Sequence, residues 1–472
     1  MSILGINFEY EERVKGISDF SEDIKKDFIF FALDGESHHG SKHIDDVKKK
    51  NPLLIVHNDR NYKSQESNIF FIRDLSEKII PFLYAFYKLD SDNFKFIGFT
   101  GTNGKTSSAF LCHQMLLSIG KSSSYIGTLG FLNNDLNDFV DSKNTTPGIF
   151  KIFDFLSNLE LKKLHHICLE VSSHALDQNR LRNINLDFSS ILNIEEDHLD
   201  YHKTKKNYIT SKLKIIDITK NNSVLVHSDL KDTILEYRDI DEERILQINT
   251  NNPESEIFLN IVKVGFDKSD FILKLENKEY KFSLKLFPRF NIYNFIFAFI
   301  SVYKLDKKVD LKDLDLKNIY LPKGRMQIVR SVPYKIIIDY AHNTNSFKVL
   351  IEPIKKEFNR VIVIFGCGGD RDKFKRPLML KAAIEYADKV IFTSDNNRSE
   401  SYSSILKDAL VGNDSKKVVA IEDRKEAIIE GCKMLTAETC LLILGKGHEE
   451  TQETYGANNF FSDQKVVDEI YQ

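Results

Sequence analysis

The stretch FKFIGFTGTNGKT, residues 94–106, carries the clearest structural signal in the chain. Its first seven residues, Phe94–Thr100, form an apolar run that ends at a glycine, which predicts a buried strand. A helix-like pattern follows Lys105. Glycines between a strand and a helix let backbone N–H groups approach an anion, and the helix N-terminus adds positive potential. The stretch therefore predicts a strand–loop–helix unit that binds phosphate.

The polar residues of this loop suit a nucleotide. Lys105 can reach the terminal phosphates, and the hydroxyl of Thr106 can ligate Mg²⁺. The strict GxxxxGK[ST] spacing is not met, because Phe99 stands where its first glycine should be. A bare Gly-Lys-Thr is weak evidence and a plain glycine turn is the alternative, but the strand-to-helix setting favours a nucleotide site.

Further apolar runs along the chain have the same character as Phe94–Thr100, and each ends in a polar loop that carries Gly or His. They are residues 166–171, 188–194, 336–340, 361–365, 390–393 and 441–444. Ligands collect beyond the carboxyl ends of such strands. The pattern predicts an α/β protein of three domains, residues 1–92, 93–322 and 323–472, with cuts in polar stretches.

Bulk composition narrows the function classes. The chain has 472 residues, enough for roughly two to four domains. Its net charge of -3, with both signs spread along the chain, disfavours nucleic acid as a partner. The five cysteines are scattered, which is typical of free thiols in a reducing compartment. With no apolar signal core and no run of ~18 apolar residues, we expect a cytoplasmic protein without membrane insertion.

One family explains both the phosphate loop and the motifs downstream of it. TGTNGKT resembles the ATP loop of the Mur ligases and their folylpolyglutamate synthase relatives, which activate a carboxylate as an acyl phosphate that an amine then attacks. Further motifs of the family occur in order along the chain: NTTP (144–147), EVSSHALDQNRL (170–181), DHLDYH (197–202), YITSK (208–212), KGRM (323–326), DYAH (339–342), GCGGDRDKFKRP (366–377), DNNR (395–398) and GKGHE (445–449). The match is strong over residues 94–472 and weak before them. It implies a central domain whose mostly parallel sheet carries the phosphate loop, and a Rossmann-like C-terminal domain.

The resemblance implies ATP as a co-substrate and Mg²⁺ as a cofactor. The positions that match ATP contacts are Gly101, Thr102, Asn103, Gly104, Lys105, Thr106, Ser107, Asn291, Arg325 and Asp339. Those that match metal ligands are Thr106, Glu170, His198 and Lys212, the last as a CO₂-derived carbamate. Lys105, Lys212, His198 and Arg325 are the expected catalytic residues. The alternatives to metal binding are a surface acid at Glu170, a helix cap at His198 and a solvated helix lysine at Lys212.

The substrate motifs are similar to those of the family members that add the third residue to UDP-N-acetylmuramoyl-dipeptide. The positions that match contacts to this nucleotide are Ser21, Asn144, Thr145, Thr146, Ser172, Gln178 and Arg180. Short hydroxyl and amide groups with one guanidinium suit a precursor that carries phosphates and carboxylates. Turn and cap chemistry is the alternative, above all for NTTP with its proline. In the N-terminal block only Ser21 matches the family's Asp-Ser-Arg.

The incoming amino acid is expected at the C-terminal motifs. The matching positions are Arg371, Asp395, Asn396, Asn397, Arg398, Gly445 and Glu449. Members that add meso-diaminopimelate carry Arg in a DNPR motif, and Arg398 matches it, although Asn397 replaces the proline. A guanidinium suits the second carboxylate of diaminopimelate, and Glu449 suits its distal ammonium. A solvent-facing loop charge is the alternative for Arg398.

Other functions remain open from the sequence. They are the same ligase using L-lysine, another Mur or folylpolyglutamate ligase, a catalytically silent relative that only binds, and a generic P-loop switch. The DQNRL and DNNR motifs weigh against another ligase of the family. Retention of the residues expected at phosphate and metal weighs against a silent relative. We expect a monomer whose partners are ATP, the UDP-linked dipeptide and diaminopimelate.

Overall fold

The structure is a computed structural model that describes residues 1–6, 11–35, 39–142, 144–160, 164–182, 184–305, 314–413 and 416–471. The candidate site residues all lie in these ranges. The chain divides into two compact units, the first made of Met1–Thr100, Gly120–Ser189 and Ser211–Ser223, the second of Gly101–Ile119, Ser190–Thr210 and Val224–Gln472. No helix among the described residues is long and apolar enough to cross a membrane.

The helices and strands follow the chain in three stretches. The N-terminal stretch has β1 (Gly16–Ser18), β2 (Phe28–Ala32), α1 (Ile44–Lys48), β3 (Leu54–His57), β4 (Ile69–Phe71) and α2 (Leu75–Phe86). The central stretch has β5 (Phe94–Thr100), α3 (Lys105–Ser118), β6 (Ser122–Gly127), β7 (Gly130–Asn133), α4 (Ile149–Ser157), β8 (His165–Glu170), α5 (Ser173–Asp177), β9 (Phe188–Ile191), α6 (Leu199–His202), α7 (Lys205–Leu213), β10 (Val224–His227), α8 (Lys231–Tyr237), β11 (Ile245–Ile248), β12 (Ile257–Lys263), β13 (Ser269–Leu275), β14 (Lys278–Leu284) and α9 (Arg289–Leu305). The C-terminal stretch has β15 (Gln327–Arg330), β16 (Lys335–Asp339), α10 (Thr344–Glu357), β17 (Arg360–Phe365), α11 (Lys375–Tyr386), β18 (Lys389–Phe392), α12 (Tyr402–Leu410), β19 (Val418–Ala420), α13 (Arg424–Lys433), β20 (Thr439–Leu444), β21 (Thr451–Thr454), β22 (Ala457–Phe460) and α14 (Asp463–Ile470).

The first unit contains two sheets. Strands β1-β2-β3-β4 form a wholly parallel sheet in sequence order. The second sheet runs β9-β5-β8-β6-β7, with β5, β8 and β6 parallel and β7 antiparallel at its edge. The side chains of β8 are all buried, which is the pattern of a strand covered on both faces. The last of them is Glu170, so a carboxylate lies at the end of a buried strand.

The second unit contains the second half of β9, paired with β10, which pairs with β11, all parallel. Helix α3 packs along α9, and α9 is buried on nearly every side. Strands β12-β13-β14 form an antiparallel sheet, and residues 269–275 alternate between buried and half-buried positions. The sequence analysis did not predict this antiparallel sheet.

The C-terminal part of the second unit has the sheet order β15-β16-β20-β17-β18-β19. The sheet is parallel from β16 to β19, and β15 is antiparallel at its edge. Helices α10, α11 and α12 cover one face through side chains such as Phe347, Leu380 and Ile405. Helices α13 and α14 cover the other through Ile428 and Val467. This doubly wound arrangement confirms the predicted Rossmann-like fold.

The predicted α/β class is confirmed, and the apolar runs become strands close to their predicted bounds. Residues 94–100 are β5 without change, and residues 166–171, 361–365 and 441–444 become β8, β17 and β20. Each of the three predicted stretches contains a mainly parallel sheet. The domain limits at residues 92 and 322 stay predictions.

Candidate active site

The phosphate loop precedes α3 and belongs to the second unit. Gly104 has a φ of +88°, and a Cβ at this position would lie 2.4 Å from Oδ1 of Asn294. Glycine is therefore required here both for the backbone conformation and for space. The hydroxyl of Ser108, one turn into α3, lies 3.4 Å from the same Asn294 oxygen. Asn294 is the polar side chain of α9 that contacts the phosphate loop.

Residues that follow β9 in the chain hold the phosphate loop in place through hydrogen bonds. The backbone N–H of Asn103 donates to Oδ1 of Asn193 at 2.9 Å, and Nδ2 of Asn193 donates to the Asn103 carbonyl at 3.0 Å. The hydroxyl of Thr102 lies 2.8 Å from that of Tyr208, and burial raises the pKa of Tyr208. Nζ of Lys105 donates to the carbonyl of Gly101 at 2.8 Å. The loop is thus preformed, and the ammonium already lies against it.

The KGRM and DYAH motifs meet at this loop. Nη2 of Arg325 donates to the hydroxyl of Thr106 at 3.1 Å, and its guanidinium lies 4.4 Å from the ring centre of Tyr340. Asp339 accepts hydrogen bonds from the backbone N–H groups of Met326 at 2.7 Å and Ala341 at 2.8 Å. Burial raises the pKa of Asp339, and Arg325 acts in the opposite direction. Asp339 therefore orients the backbone that presents Arg325.

Asn343 is a site residue that the sequence analysis missed. Its Nδ2 donates to Oδ2 of Asp197 at 3.2 Å and lies 3.4 Å from Oδ1 of Asn103. Its Oδ1 caps α10, with Ser346 completing a capping box. Burial alone would raise the pKa of Asp197, but nearby His198, His342 and Lys375 hold it at about 2. An Asn directly after DYAH, three residues before Ser, was a readable cap signal.

Three further residues predicted at this site, Asn291, Ser107 and His198, differ in their burial and position. Asn291 is almost fully buried in α9, where its Nδ2 donates to the carbonyl of Phe287 at 3.0 Å. Ser107 is buried in the first turn of α3. His198 caps α6 with a φ of +54°, and its side chain is 44% exposed. His198 therefore occupies the N-cap position, but its side chain makes no capping hydrogen bond to the described residues of the helix.

In the first unit, Glu170 is fully buried, which excludes the surface acid. Its Oε1 accepts hydrogen bonds from the backbone N–H of Thr128 at 2.8 Å and from the hydroxyl of Tyr125, and its Oε2 accepts from the Thr128 hydroxyl at 3.1 Å. The carboxylate is held in one orientation by neutral donors. Thr128 was missed because nothing in its sequence context marks it.

The predicted substrate residues of the first unit gather around this strand end. The hydroxyl of Thr146 donates to the Glu170 carbonyl at 2.9 Å and accepts from the Ser172 N–H at 2.9 Å. Nη1 of Arg180 donates to the Thr146 carbonyl at 3.2 Å, and its Nε donates to Oε1 of Gln178 at 2.7 Å. Four of the predicted contacts are thus joined in one hydrogen-bonded group.

Three further residues of this unit complete the predicted set. The hydroxyl of Thr145 accepts from that of Thr128 at 3.2 Å, and Asn144 beside it is exposed. Ser21 stands apart in a short 3₁₀ turn after β1, where its carbonyl accepts from Nζ of Lys50 at 2.7 Å.

Lys212 lies in α7, also in the first unit. Its side chain is 1% exposed, which excludes the solvated helix lysine. Among the described residues, no three His, Cys, Asp or Glu side chains come together as a ready-made metal site.

The DNNR and GKGHE motifs come together in the second unit. The side chain of Lys446 is fully buried, and its Nζ donates to Oε2 of Glu449 at 3.0 Å and to Oδ1 of Asn396 at 3.1 Å. Nδ2 of Asn396 donates to the same Glu449 oxygen at 3.0 Å. Gly445 has a φ of +106°, and a Cβ there would lie 2.6 Å from Oδ2 of Asp395. Lys446 was missed, because the motif was read only for its Gly and Glu.

Arg398 is held across the glycine loop that follows β17. Its Nη1 donates to the carbonyl of Gly369 at 2.8 Å and to that of Asn396 at 3.4 Å. A Cβ on Gly369 would lie 1.8 Å from the carbonyl oxygen of Asn397, so the two loops pack without room for a side chain. Arg371 extends from the same glycine loop and is exposed. The side chain of Arg398 is 23% exposed, less open than a solvent-facing loop charge.

The β21–β22 hairpin fixes the DNNR loop, a role that the sequence analysis did not assign. The Arg398 N–H donates to the Glu453 carbonyl at 3.2 Å, and the Tyr455 N–H donates to the Arg398 carbonyl at 2.7 Å. The Glu453 N–H donates to Oδ1 of Asn396 at 3.0 Å. Within the loop, Nδ2 of the buried Asn397 donates to the hydroxyl of Ser394 at 3.1 Å. These bonds restrain a loop that lacks the family's proline.

Comparison with known proteins identifies the class. Residues 99–302 match the Mur ligase middle domain, and residues 324–447 match the Mur ligase glutamate ligase domain. The chain belongs to the Mur ligase family.

Individual relatives share nearly the whole chain. The chain is 33% identical to the UDP-N-acetylmuramoyl-L-alanyl-D-glutamate–2,6-diaminopimelate ligase of Aquifex aeolicus, over 97% of this chain and 94% of that protein. The enzyme of the same name from Clostridium perfringens is 32% identical over 98% and 95%. A solved structure of a ligase of that name aligns with a TM-score of 0.67 and 25% identity, over 100% and 99% of the two chains. The MurF ligase of Thermotoga maritima, solved with ADP, shares the fold with a TM-score of 0.63 and 14% identity over 98% of each chain.

Proposed function

We propose that this protein is an ATP-dependent ligase that joins meso-2,6-diaminopimelate to UDP-N-acetylmuramoyl-L-alanyl-D-glutamate in peptidoglycan synthesis. The observation that carries the proposal is the Arg398 guanidinium, held beside Asn396 and Glu449 in the same unit as the phosphate loop. The names of the Aquifex and Clostridium relatives support the same substrates. The reaction joins the D-glutamate carboxyl to an amine of diaminopimelate through an acyl phosphate.

The phosphate loop and Arg325 would handle the transferred phosphoryl group. Lys105 and the N-terminus of α3 offset charge on the β- and γ-phosphates. The guanidinium of Arg325, 3.1 Å from the Thr106 hydroxyl, is placed to stabilise charge that develops on the γ-phosphate oxygens. Asp339 keeps that arginine in place through Met326.

The chain offers ligands suited to Mg²⁺. Thr106 supplies a hydroxyl oxygen, and Glu170 supplies a buried carboxylate that accepts hydrogen bonds from the N–H and hydroxyl of Thr128. His198 and a carbamate on Lys212 are the other ligands that we propose. CO₂ adds only to a neutral amine. The side chain of Lys212 is buried, and burial makes the charged ammonium form costly. Bound Mg²⁺ would neutralise charge on the γ-phosphate and the substrate carboxylate.

The amino-acid end favours diaminopimelate over lysine. Diaminopimelate carries a second carboxylate at its far end, and Arg398 offers N–H donors in the geometry that a carboxylate accepts. Glu449, already bonded to Lys446 and Asn396, has an oxygen suited to the distal ammonium. L-Lysine has no second carboxylate, so it would forgo the charge-assisted hydrogen bonds that diaminopimelate makes to Arg398.

The proposed function is tested by leaving out one reaction component at a time. Purified protein with ATP, Mg²⁺, the UDP-linked dipeptide and meso-diaminopimelate should release phosphate and form a product of the tripeptide mass. Omission of any one component should stop both. Binding of the nucleotides with no product for any amino acid would identify a silent relative and overturn the proposal.

A further inference from the structure

The hydrogen bonds of Arg398 leave one edge of its guanidinium for a carboxylate. A guanidinium has five N–H groups, one on Nε and two on each terminal nitrogen. Both N–H groups of Nη1 point to carbonyls, those of Gly369 at 2.8 Å and Asn396 at 3.4 Å. A carboxylate that binds two parallel N–H groups needs either the Nη1–Nη2 edge or the Nε–Nη2 edge. Only the Nε–Nη2 edge has no donor bonded to a backbone carbonyl of the described residues.

The carboxylate of Glu453 occupies that edge. Its Oε2 lies 3.3 Å from Nε of Arg398. Nη2 of Arg398 makes no hydrogen bond within the part of the chain that the structure describes. An incoming carboxylate would therefore meet the Glu453 carboxylate at the position where it must bind.

We propose that Glu453 is a specificity-determining residue that acts as an internal competitor for the distal carboxylate of the amino-acid substrate. In the substrate-free site it neutralises Arg398, so that the guanidinium is not a bare cation open to any small anion. A substrate that also engages Asn396 and Glu449 displaces it, whereas a simple carboxylate does not. This inference rests on the proposed function, because it requires Arg398 to bind that carboxylate.

The hairpin allows this exchange without coming apart. The backbone of Glu453 is held on both sides, its N–H by Oδ1 of Asn396 and its carbonyl by the N–H of Arg398. Its side chain is 36% exposed, so the carboxylate can turn into solvent while the backbone bonds remain. The Glu453 carboxylate can thus leave Arg398 by a change of side-chain rotamer alone.

The test compares wild type, Glu453→Gln and the control Glu450→Gln. Glu450 is three residues earlier and pairs with Lys323 at 2.8 Å, away from Arg398. Partly exposed ion pairs have small energies, so we expect Glu453→Gln to lower KM for meso-diaminopimelate by about two- to fivefold with kcat unchanged. KM for ATP should not change, and Glu450→Gln should behave as wild type. L-Glutamate should inhibit Glu453→Gln more strongly than wild type, because the arginine edge is then open.

Two outcomes separate failure of the inference from failure of the proposed function. If wild type uses meso-diaminopimelate but Glu453→Gln has an unchanged or higher KM, Glu453 does not compete, and a higher KM would show that it holds Arg398 in place. If wild type makes no product with meso-diaminopimelate, the proposed amino acid itself is wrong.

Discussion

Lys105 begins α3 with its ammonium already against the backbone of the phosphate loop, 2.8 Å from the carbonyl of Gly101 and 3.1 Å from that of Thr102. ATP would exchange these weak acceptors for phosphate oxygens. Lys105→Ala should therefore lower kcat by ~10³-fold, on the order of 4 kcal/mol of lost transition-state stabilisation, with the fold intact. Phosphate release under saturating substrates measures this. Lys281→Ala, on exposed β14, is the control, and near-normal turnover by folded Lys105→Ala would remove the lysine from the mechanism.

Lys212 offers a second residue-scale prediction, because its side chain is buried, whereas that of Lys214, just after the end of α7, is 40% exposed and pairs with Asp177 at 2.9 Å. Lys212→Ala should be inactive, since only an anionic oxygen at this position can help to bind Mg²⁺. Wild-type activity should fall when dissolved CO₂ is removed and return when bicarbonate is added. Lys214→Ala should respond to CO₂ as wild type does. A high-resolution crystal structure of active enzyme with metals bound and a bare amine at Lys212 would contradict the carbamate.

Most residues that stand inside motifs could be predicted from the sequence, with Lys446 of GKGHE as an exception, whereas residues that reach a motif from elsewhere were missed. Arg325, Asp339 and Arg398 were predicted because short patterns mark them. Glu453 and Thr128 are ordinary residues in sequence, and only the hairpin and the end of β8 bring them to Arg398 and Glu170. A contact between residues that are 55 positions apart in the sequence, or that lie on different strands or loops, leaves no signal in the local sequence.

At the scale of elements, Arg376 ties α11 to the start and the body of α12. Its side chain is fully buried, and it donates to Glu400 at 2.7 and 3.0 Å, to Asp408 at 2.8 Å and to the carbonyl of Gly368 at 3.1 Å. The last bond supports the glycine loop against which Arg398 rests. The hydrogen bond from Arg376 holds the pKa of Glu400 at about 2, although partial burial works against this.

The lowered pKa gives stability a predicted pH dependence. A carboxylate with a depressed folded-state pKa adds stability that is fully present above its unfolded value, 4.5, and is lost as pH falls toward about 2. Glu400→Gln should therefore lower the free energy of unfolding by about 2 kcal/mol near pH 7, and the difference from wild type should shrink below about pH 4.5. Urea unfolding at several pH values measures it. Glu352→Gln, which removes an exposed pair with Lys356, is the control and should change the free energy of unfolding much less than Glu400→Gln does. A pH-independent effect of Glu400→Gln would contradict the ion pair.

Seven parallel strands, β5, β8, β9, β16, β17, β18 and β20, were predicted from the sequence, because strands covered on both faces appear as continuous apolar runs. The parallel strands β1, β3, β4, β6, β10, β11 and β19 were not predicted. The antiparallel β12–β14 sheet and the β21–β22 hairpin were missed. Strand β22, Ala457–Phe460, is exposed throughout and contains two asparagines, so it has no apolar alternation to detect. Its pairing with β21 and the bridge between Arg398 and Thr454 come from tertiary context.

At the scale of the whole molecule, the family follows from motifs spread over most of the chain, but the choice of amino acid depends on very few groups. We propose that Arg398, Glu449 and Asn396 distinguish a second carboxylate from a hydrogen atom at the far end of the substrate. Their arrangement depends on both the Rossmann-like sheet, which ends at the DNNR loop, and the hairpin that restrains this loop. We therefore propose that these few groups select meso-diaminopimelate as the amino acid that this chain adds.

The most direct measurement is kcat/KM of the wild-type enzyme for meso-diaminopimelate and for L-lysine, with ATP and the UDP-linked dipeptide saturating. L-Lysine forgoes the paired charge-assisted hydrogen bonds between the distal carboxylate and Arg398, so a preference of ~10²-fold or more for meso-diaminopimelate is predicted. Arg398→Ala should remove most of that preference and leave KM for ATP unchanged. A wild-type preference for L-lysine would contradict the account.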